Sequence, residues 1–128
     1  MALNNLQDSI WYEELPESCP PKDAFMPQHR KFYRVAKGDP CKDSDFFSQR
    51  KLQPQKQFNV DECIARAVSV FEDYKDAERI VKLPKFKGGV IAEITLTERD
   101  GMIMKTSSKS HYSWWRTKYF NYENSNII

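Results

Sequence analysis

A chain of 128 residues has the length of one ordinary domain, and 40% hydrophobic residues with 8 Phe, 6 Tyr and 3 Trp supply enough apolar material for one core. This composition excludes wholesale disorder, and the lack of any apolar run near ~20 residues excludes an ordinary membrane-spanning helix. The first residues have neither the basic start nor the apolar stretch of a signal peptide, so we expect a cytoplasmic protein without membrane partners.

Charge divides the chain into two parts. The net charge is +2, but residues 1–29 carry five acids against Lys22 alone, which leaves +6 on residues 30–128. Four prolines also fall within the first 29 residues and disfavour a long helix there. The sequence predicts an irregular acidic leader over 1–29 and a single α+β domain over 30–128, with a mainly antiparallel, curved sheet and two or three short helices.

The first half of the domain alternates short strands and helices. Residues 29–36 predict a strand that carries Arg34 on the same side as two apolar residues. A helix capped by Asp43 or Ser44 is expected to run to Pro54, and residues 60–67 predict a second helix. Residues 68–71 have the β-branched and aromatic composition of a short strand.

The second half contains the clearest strand. Asp73 can cap a helix that ends before Pro84, and residues 90–97 alternate apolar and polar side chains. Asp100-Gly101 is a hairpin signal, which predicts that residues 102–106 pair with 90–97. The aromatic and basic last 20 residues are expected to add one or two strands.

The three cysteines are odd in number and widely spaced, without a Cys-x-x-Cys pair. They support neither a disulfide framework nor a zinc site, so we expect a free, partly buried thiol at each and no metal.

Four residues are candidates for a site. Arg34 on the first strand either belongs to the sheet surface, paired with an acid such as Glu93, or captures a phosphate or carboxylate. Ser69 can line the same pocket. Glu93 is a solvent-facing residue or, if buried, a general base, and His111 lies in an aromatic cluster suited to an acid-base role.

Two other classes of function remain open. The first is a protein-interaction module that uses Trp114 and Trp115, since aromatic side chains dominate binding hot spots. The second is single-stranded nucleic-acid binding by basic and aromatic residues after Gly101, although a charge of +6 is modest for that purpose. Exposed sheet edges are compatible with a homodimer.

The segments FYRV, DFFS, SVFEDYKDAERI, GVIAEITL and SHYSWW resemble those of a group of small bacterial domains. Their layout over residues 30–115 faintly resembles the ADP-ribosyltransferase and RES-type NAD-consuming folds. The resemblance implies a nucleotide-like ligand such as NAD, bound by Arg34 and Ser69, with Glu93 or His111 as the catalytic residue. The chain lacks the Glu-x-Glu pair found in such enzymes.

Overall fold

The computed structural model describes residues 9–107 and 109–128. These residues form one α+β domain with a six-stranded antiparallel sheet and three short α-helices. The strands, in chain order, are β1 (Arg30–Ala36), β2 (Val68–Phe71), β3 (Val90–Leu96), β4 (Gly101–Lys105), β5 (His111–Arg116) and β6 (Asn126–Ile127). The helices are α1 (Gln49–Leu52), α2 (Glu62–Ala65) and α3 (Tyr74–Val81). The predicted fold class is confirmed.

Aspartate side chains cap the first turns of α2 and α3. The side chain of Asp61 accepts a hydrogen bond from the Ile64 amide at the start of α2, and that of Asp73 accepts one from the Lys75 amide at the start of α3. Such caps satisfy amides that have no partner within the helix. The first predicted helix differs: a 3-10 turn over Asp43–Phe46 is followed by an extended residue, and Ser48 then caps α1.

The sheet order is β4-β5-β2-β1-β3-β6. The predicted hairpin between residues 90–97 and 102–106 is therefore wrong, because β3 pairs with β1 and β6 while β4 pairs with β5. A tight turn does lie at residues 97–100, directly before Gly101, and in it the Asp100 amide donates to the Thr97 carbonyl at 2.9 Å. β3 ends before this turn and β4 begins after it, but the two strands do not pair with each other.

The turn at 97–100 also requires a curved sheet. Three strands separate β3 from β4, which in a flat sheet puts their axes ~19 Å apart at the usual strand spacing. A β-turn brings its ends within ~7 Å, so Leu96 and Gly101 lie closer than a flat sheet allows. The sheet must therefore curl until β4 approaches β3.

One face of the sheet carries the main core. Phe32 of β1, Val70 of β2, Leu96 of β3, Ile103 of β4 and Trp114 of β5 are all fully buried there. On the opposite face α3 packs on β1, β2 and β3 through its buried Ala77. Because α3 has only eight residues, ~12 Å of helix, it covers only part of this face.

The described part of the leader, residues 9–29, contains no helix and is attached to the sheet. Phe25 forms a bridge with Ile103 on β4, and the Tyr12 amide donates to the carbonyl of Arg116 on β5. The Tyr12 hydroxyl and the Arg116 guanidinium both donate to the carboxylate of Asp43. The guanidinium also stacks on the Tyr12 ring, with 3.7 Å between its carbon and the ring centroid.

A disulfide between Cys19 and Cys63 joins the leader to α2, with a Cα–Cα distance of 5.6 Å. The prediction of free thiols is thus wrong for these two cysteines, while Cys41 is free. The disulfide borders a second apolar cluster, in which the fully buried Trp115 donates through its indole N–H to the Cys63 carbonyl at 2.9 Å. The sequence separation of 44 residues left this pairing without a local signal.

Candidate functional site

A cleft of about 700 Å³ opens beside α3, in the area that this short helix leaves uncovered. Its floor consists of residues from β1, β2 and β5, and its walls come from residues 49–58 and from the end of α3 with the turn that follows. Its size lies within the range of small-molecule sites. The lining residues are Arg34, Val35, Lys37, Gln49, Leu52, Gln53, Lys56, Phe58, Ser69, Phe71, Ile80, Leu83, Lys85, Phe86 and His111.

Three of the four predicted site residues, Arg34, Ser69 and His111, line this cleft together. Ser69 and His111 lie on neighbouring strands, since β2 pairs with β5 so that Phe71 is opposite His111 and Ser69 is opposite Ser113. Arg34 arrives from β1, which meets β2 at a single register pair, Tyr33 with Phe71. The arrangement follows from the strand order β5-β2-β1 in the middle of the sheet.

The Arg34 guanidinium bridges two parts of the backbone. Nε donates to the Asp45 carbonyl at 2.8 Å, Nη1 to the Ser69 carbonyl at 2.9 Å and Nη2 to the Phe47 carbonyl at 3.4 Å. Within the described residues no carboxylate oxygen lies within 4.0 Å of it. One N–H on each terminal nitrogen remains without a described acceptor, which is the pair of donors that a bidentate anion requires.

Burial affects the charge on Arg34. It lowers the pKa of the guanidinium to about 10, and the nearby Asp45 opposes this effect. The group is still cationic at pH 7. The Arg34 side chain is half-buried, and a partly desolvated cation without a bound carboxylate is costly, so an anion in the cleft would offset part of that cost.

His111 has one nitrogen held by the protein. Its Nδ1 lies 3.1 Å from the Thr106 hydroxyl oxygen, which in turn lies 2.8 Å from the Ser113 hydroxyl oxygen. Among the described residues Nε2 has no hydrogen-bond partner. Burial, and secondarily the positive charge of Arg34, lower the pKa of His111 from 6.5. The imidazole is therefore neutral at pH 7 and can donate or accept one hydrogen bond through Nε2.

The cleft combines aromatic walls with cations. Phe58, Phe71 and Phe86 line it, and the Phe71 ring meets the His111 ring edge-on at a centroid distance of 5.4 Å. Lys37, Lys56 and Lys85 join Arg34, and the described lining of this cleft includes no acidic side chain. We did not predict these lysines, because an exposed lysine in a loop gives the same local signal wherever it lies. The arrangement can hold a planar ring that carries negative charge.

Glu93, the fourth predicted site residue, lies outside the cleft. It is in register with Tyr33, whose ring packs edge-on against Tyr74 at the start of α3. Its carboxylate is 3.8 Å from the Lys31 ammonium, and both side chains are partly exposed. The considered pairing with Arg34 is wrong, because the register puts Arg34 opposite Ala92 and Glu93 on the alternate face of β3.

Trp114 and Trp115 do not form a surface. Both are fully buried on opposite faces of β5, Trp114 in the main core and Trp115 in the cluster under the leader. The predicted interaction surface at these tryptophans is therefore absent. Tyr112 and Phe120 are buried as well, which also removes most of the stacking rings expected of a nucleic-acid surface.

No described group of three or more His, Cys, Asp or Glu side chains is arranged to hold a metal ion. Comparisons with models of known protein families, with curated proteins and with solved structures found no match.

Proposed function

We propose that the cleft binds an anionic small molecule with a planar ring, of the nucleotide class. The observation that supports this most directly is the Arg34 guanidinium. It lines the cleft, it has two N–H groups without a described acceptor, and no carboxylate lies within 4.0 Å of it in the described structure. Capture of a phosphate by these donors would be charge-assisted and bidentate. The three phenylalanines supply surfaces on which a base can stack.

The relation to ADP-ribosyltransferases is part of this proposal, with NAD or ADP-ribose as candidate ligands. Arg34 and Ser69 are the proposed contacts of such a ligand, and both line the cleft. The position of Glu93 outside the cleft leaves His111 as the candidate acid or base. We propose binding as the basic property, and turnover of NAD as a separate assay.

Calorimetric and thermal-shift titrations with NAD, ADP-ribose and ATP test the proposal. A ligand that binds only the folded state raises the free energy of unfolding by about 2.7 kcal/mol at a hundredfold excess over Kd. The informative variant is Lys56→Ser with Lys85→Ser, because both side chains are exposed and neither forms an ion pair among the described residues. Lys22→Ser with Lys118→Ser is the matched control, a pair of exposed lysines outside the cleft.

We expect at least one of these ligands to stabilise the natural protein, and the double variant to bind it at least about tenfold more weakly. The control double variant, Lys22→Ser with Lys118→Ser, should leave the affinity unchanged. Failure of all three ligands to bind, or equal weakening in the control, would contradict the proposal. Arg34→Lys is less decisive as a first test, because one ammonium cannot replace the hydrogen bonds to three carbonyls.

A cytoplasmic location stays a prediction. None of the described helices is long and apolar enough to cross a membrane. The Cys19–Cys63 disulfide is an observation against the cytoplasm, because disulfides persist mainly in oxidising compartments. Rapid acid quenching and thiol alkylation of intact cells would measure the oxidation state of these two cysteines directly.

A further inference from the structure

A second cavity of about 360 Å³ adjoins the cleft. The two share six lining residues: Arg34, Val35, Lys37, Leu52, Lys85 and Phe86. Arg34 and Lys85 therefore border both spaces. A ligand held at Arg34 in the cleft can extend into the second cavity without leaving the protein surface.

The two spaces differ in chemistry. Phe58, Phe71 and His111 line only the larger cleft, whereas Lys87 and Ser44 line only the smaller cavity. The smaller cavity adds a cation and a hydroxyl, and the one ring that lines it, Phe86, is shared. The rings thus concentrate in the larger cleft, which also has polar side chains of its own, Gln49, Gln53, Lys56 and Ser69.

The smaller cavity contains one carboxylate among its described lining, that of Asp45. Its two oxygens accept hydrogen bonds from the backbone amides of Lys37 at 2.9 Å and Lys42 at 2.8 Å. The carboxylate is therefore already engaged in fixing the turn after β1. Four cationic side chains, Arg34, Lys37, Lys85 and Lys87, surround the same space.

We infer that the ligand is a nucleoside diphosphate or a molecule that contains one, with its base in the larger cleft and its second phosphate in the smaller cavity. The first phosphate lies at the shared border, where Arg34, Lys37 and Lys85 meet. The second lies beyond it, within reach of Lys87. This inference depends on the proposed function, since it specifies the ligand of the same site.

Isothermal titration with matched nucleosides, nucleoside monophosphates and nucleoside diphosphates of the four common bases tests the inference. Lys87→Ser is the principal variant, because Lys87 is exposed and its side chain has no hydrogen bond or ion pair among the described residues. Phe58→Leu is the complementary variant on the cleft side, and Lys118→Ser controls for net charge.

For the base that binds best, we expect the diphosphate to bind at least about tenfold more tightly than the monophosphate, a difference of ~1.4 kcal/mol. Lys87→Ser should remove most of this difference and leave the monophosphate within about twofold. Phe58→Leu should weaken both nucleotides by the same factor. Equal affinity for monophosphate and diphosphate, or equal weakening of both by Lys87→Ser, would overturn the inference while leaving the proposed function intact. Absence of binding by every nucleotide would overturn both.

Discussion

The Cys19–Cys63 disulfide predicts a large stability difference between the oxidised and reduced protein. The bond closes a loop over a sequence separation of 44 residues. In the chain-entropy description, a loop of this length restricts the unfolded chain by an amount equivalent to about 4 kcal/mol at 25 °C. Since single domains are stable by only ~5–15 kcal/mol, this is a major share of the total.

Chemical denaturation measures the effect. The double variant Cys19→Ala, Cys63→Ala removes the bond without leaving a reactive thiol, and Cys41→Ala is the control because Cys41 is free. We expect the double variant to lose about 4 kcal/mol of unfolding free energy, with a fall in Tm on the order of 10–15 °C. The control should change by much less, and reduction of the natural protein should reproduce the loss.

Two outcomes would refute this reasoning. Alkylation of all three cysteines in unfolded but unreduced protein would show that the bond is not formed. If the bond forms and the double variant still unfolds within about 1 kcal/mol of the natural protein, the loop does not constrain the unfolded state as proposed. The backbone contacts of Tyr12 and Phe25 with the sheet would then be sufficient to hold the leader.

Two further predictions concern His111 and Gly101. The pKa of His111 is lowered from 6.5 by burial and by Arg34, so on acidification the unfolded chain binds this proton before the folded protein does. The stabilisation that comes from neutral His111 is complete above about pH 6.5 and is lost as the pH falls toward the folded pKa. His111→Gln should therefore flatten this part of the plot of unfolding free energy against pH. An NMR titration that places the folded pKa at or above 6.5 would contradict the assignment. Gly101→Ala should destabilise by about 2 kcal/mol or more, because Gly101 has φ of 137° and an added Cβ would lie 2.0 Å from the Trp115 carbonyl oxygen. Gly38→Ala is the control, since nothing lies within 4 Å of its Cβ position; equal effects in urea unfolding would refute the steric argument.

Local patterns were sufficient to predict most of the elements. The alternation in 90–97 predicted β3, and Asp73 was predicted as the cap at the start of α3. These features depend on residues close in sequence, where side-chain direction and capping are decided. The fold class followed from their number and order.

Pairing over long distances was not predictable in the same way. Asp100-Gly101 indicates a turn, but a turn does not determine whether the strands on its two sides pair with each other. Gly101 instead allows β4 to approach β5 closely, since a Cβ at this position would lie only 2.0 Å from the Trp115 carbonyl oxygen. The Cys19–Cys63 bond depends on the same kind of tertiary proximity, which neither cysteine's neighbours indicate.

Residues of the candidate site could be predicted where the residue type has few structural roles. An arginine within an apolar strand has few structural roles, and Arg34, Ser69 and His111 line one cleft. Lys56 and Lys85 were not predictable, since their importance depends on two loops that converge over the sheet. Glu93 lies outside this cleft and is opposite Tyr33 in the register of β1 and β3.

The Arg34 guanidinium has some N–H donors that stabilise the fold and others that are available for binding. Three N–H groups satisfy the carbonyls of Asp45, Phe47 and Ser69, which otherwise would lack these donors where β1 and β2 separate. An apolar replacement would remove the cost of the buried charge but leave those carbonyls without their partners, and the second effect has the larger expected penalty. The fold therefore retains the charge. Because Arg34 is half-buried and has no carboxylate within 4.0 Å among the described residues, binding of an anion is more favourable here than at a fully exposed arginine. A group that the fold needs for its backbone hydrogen bonds is, for the same reason, prepared to bind a phosphate.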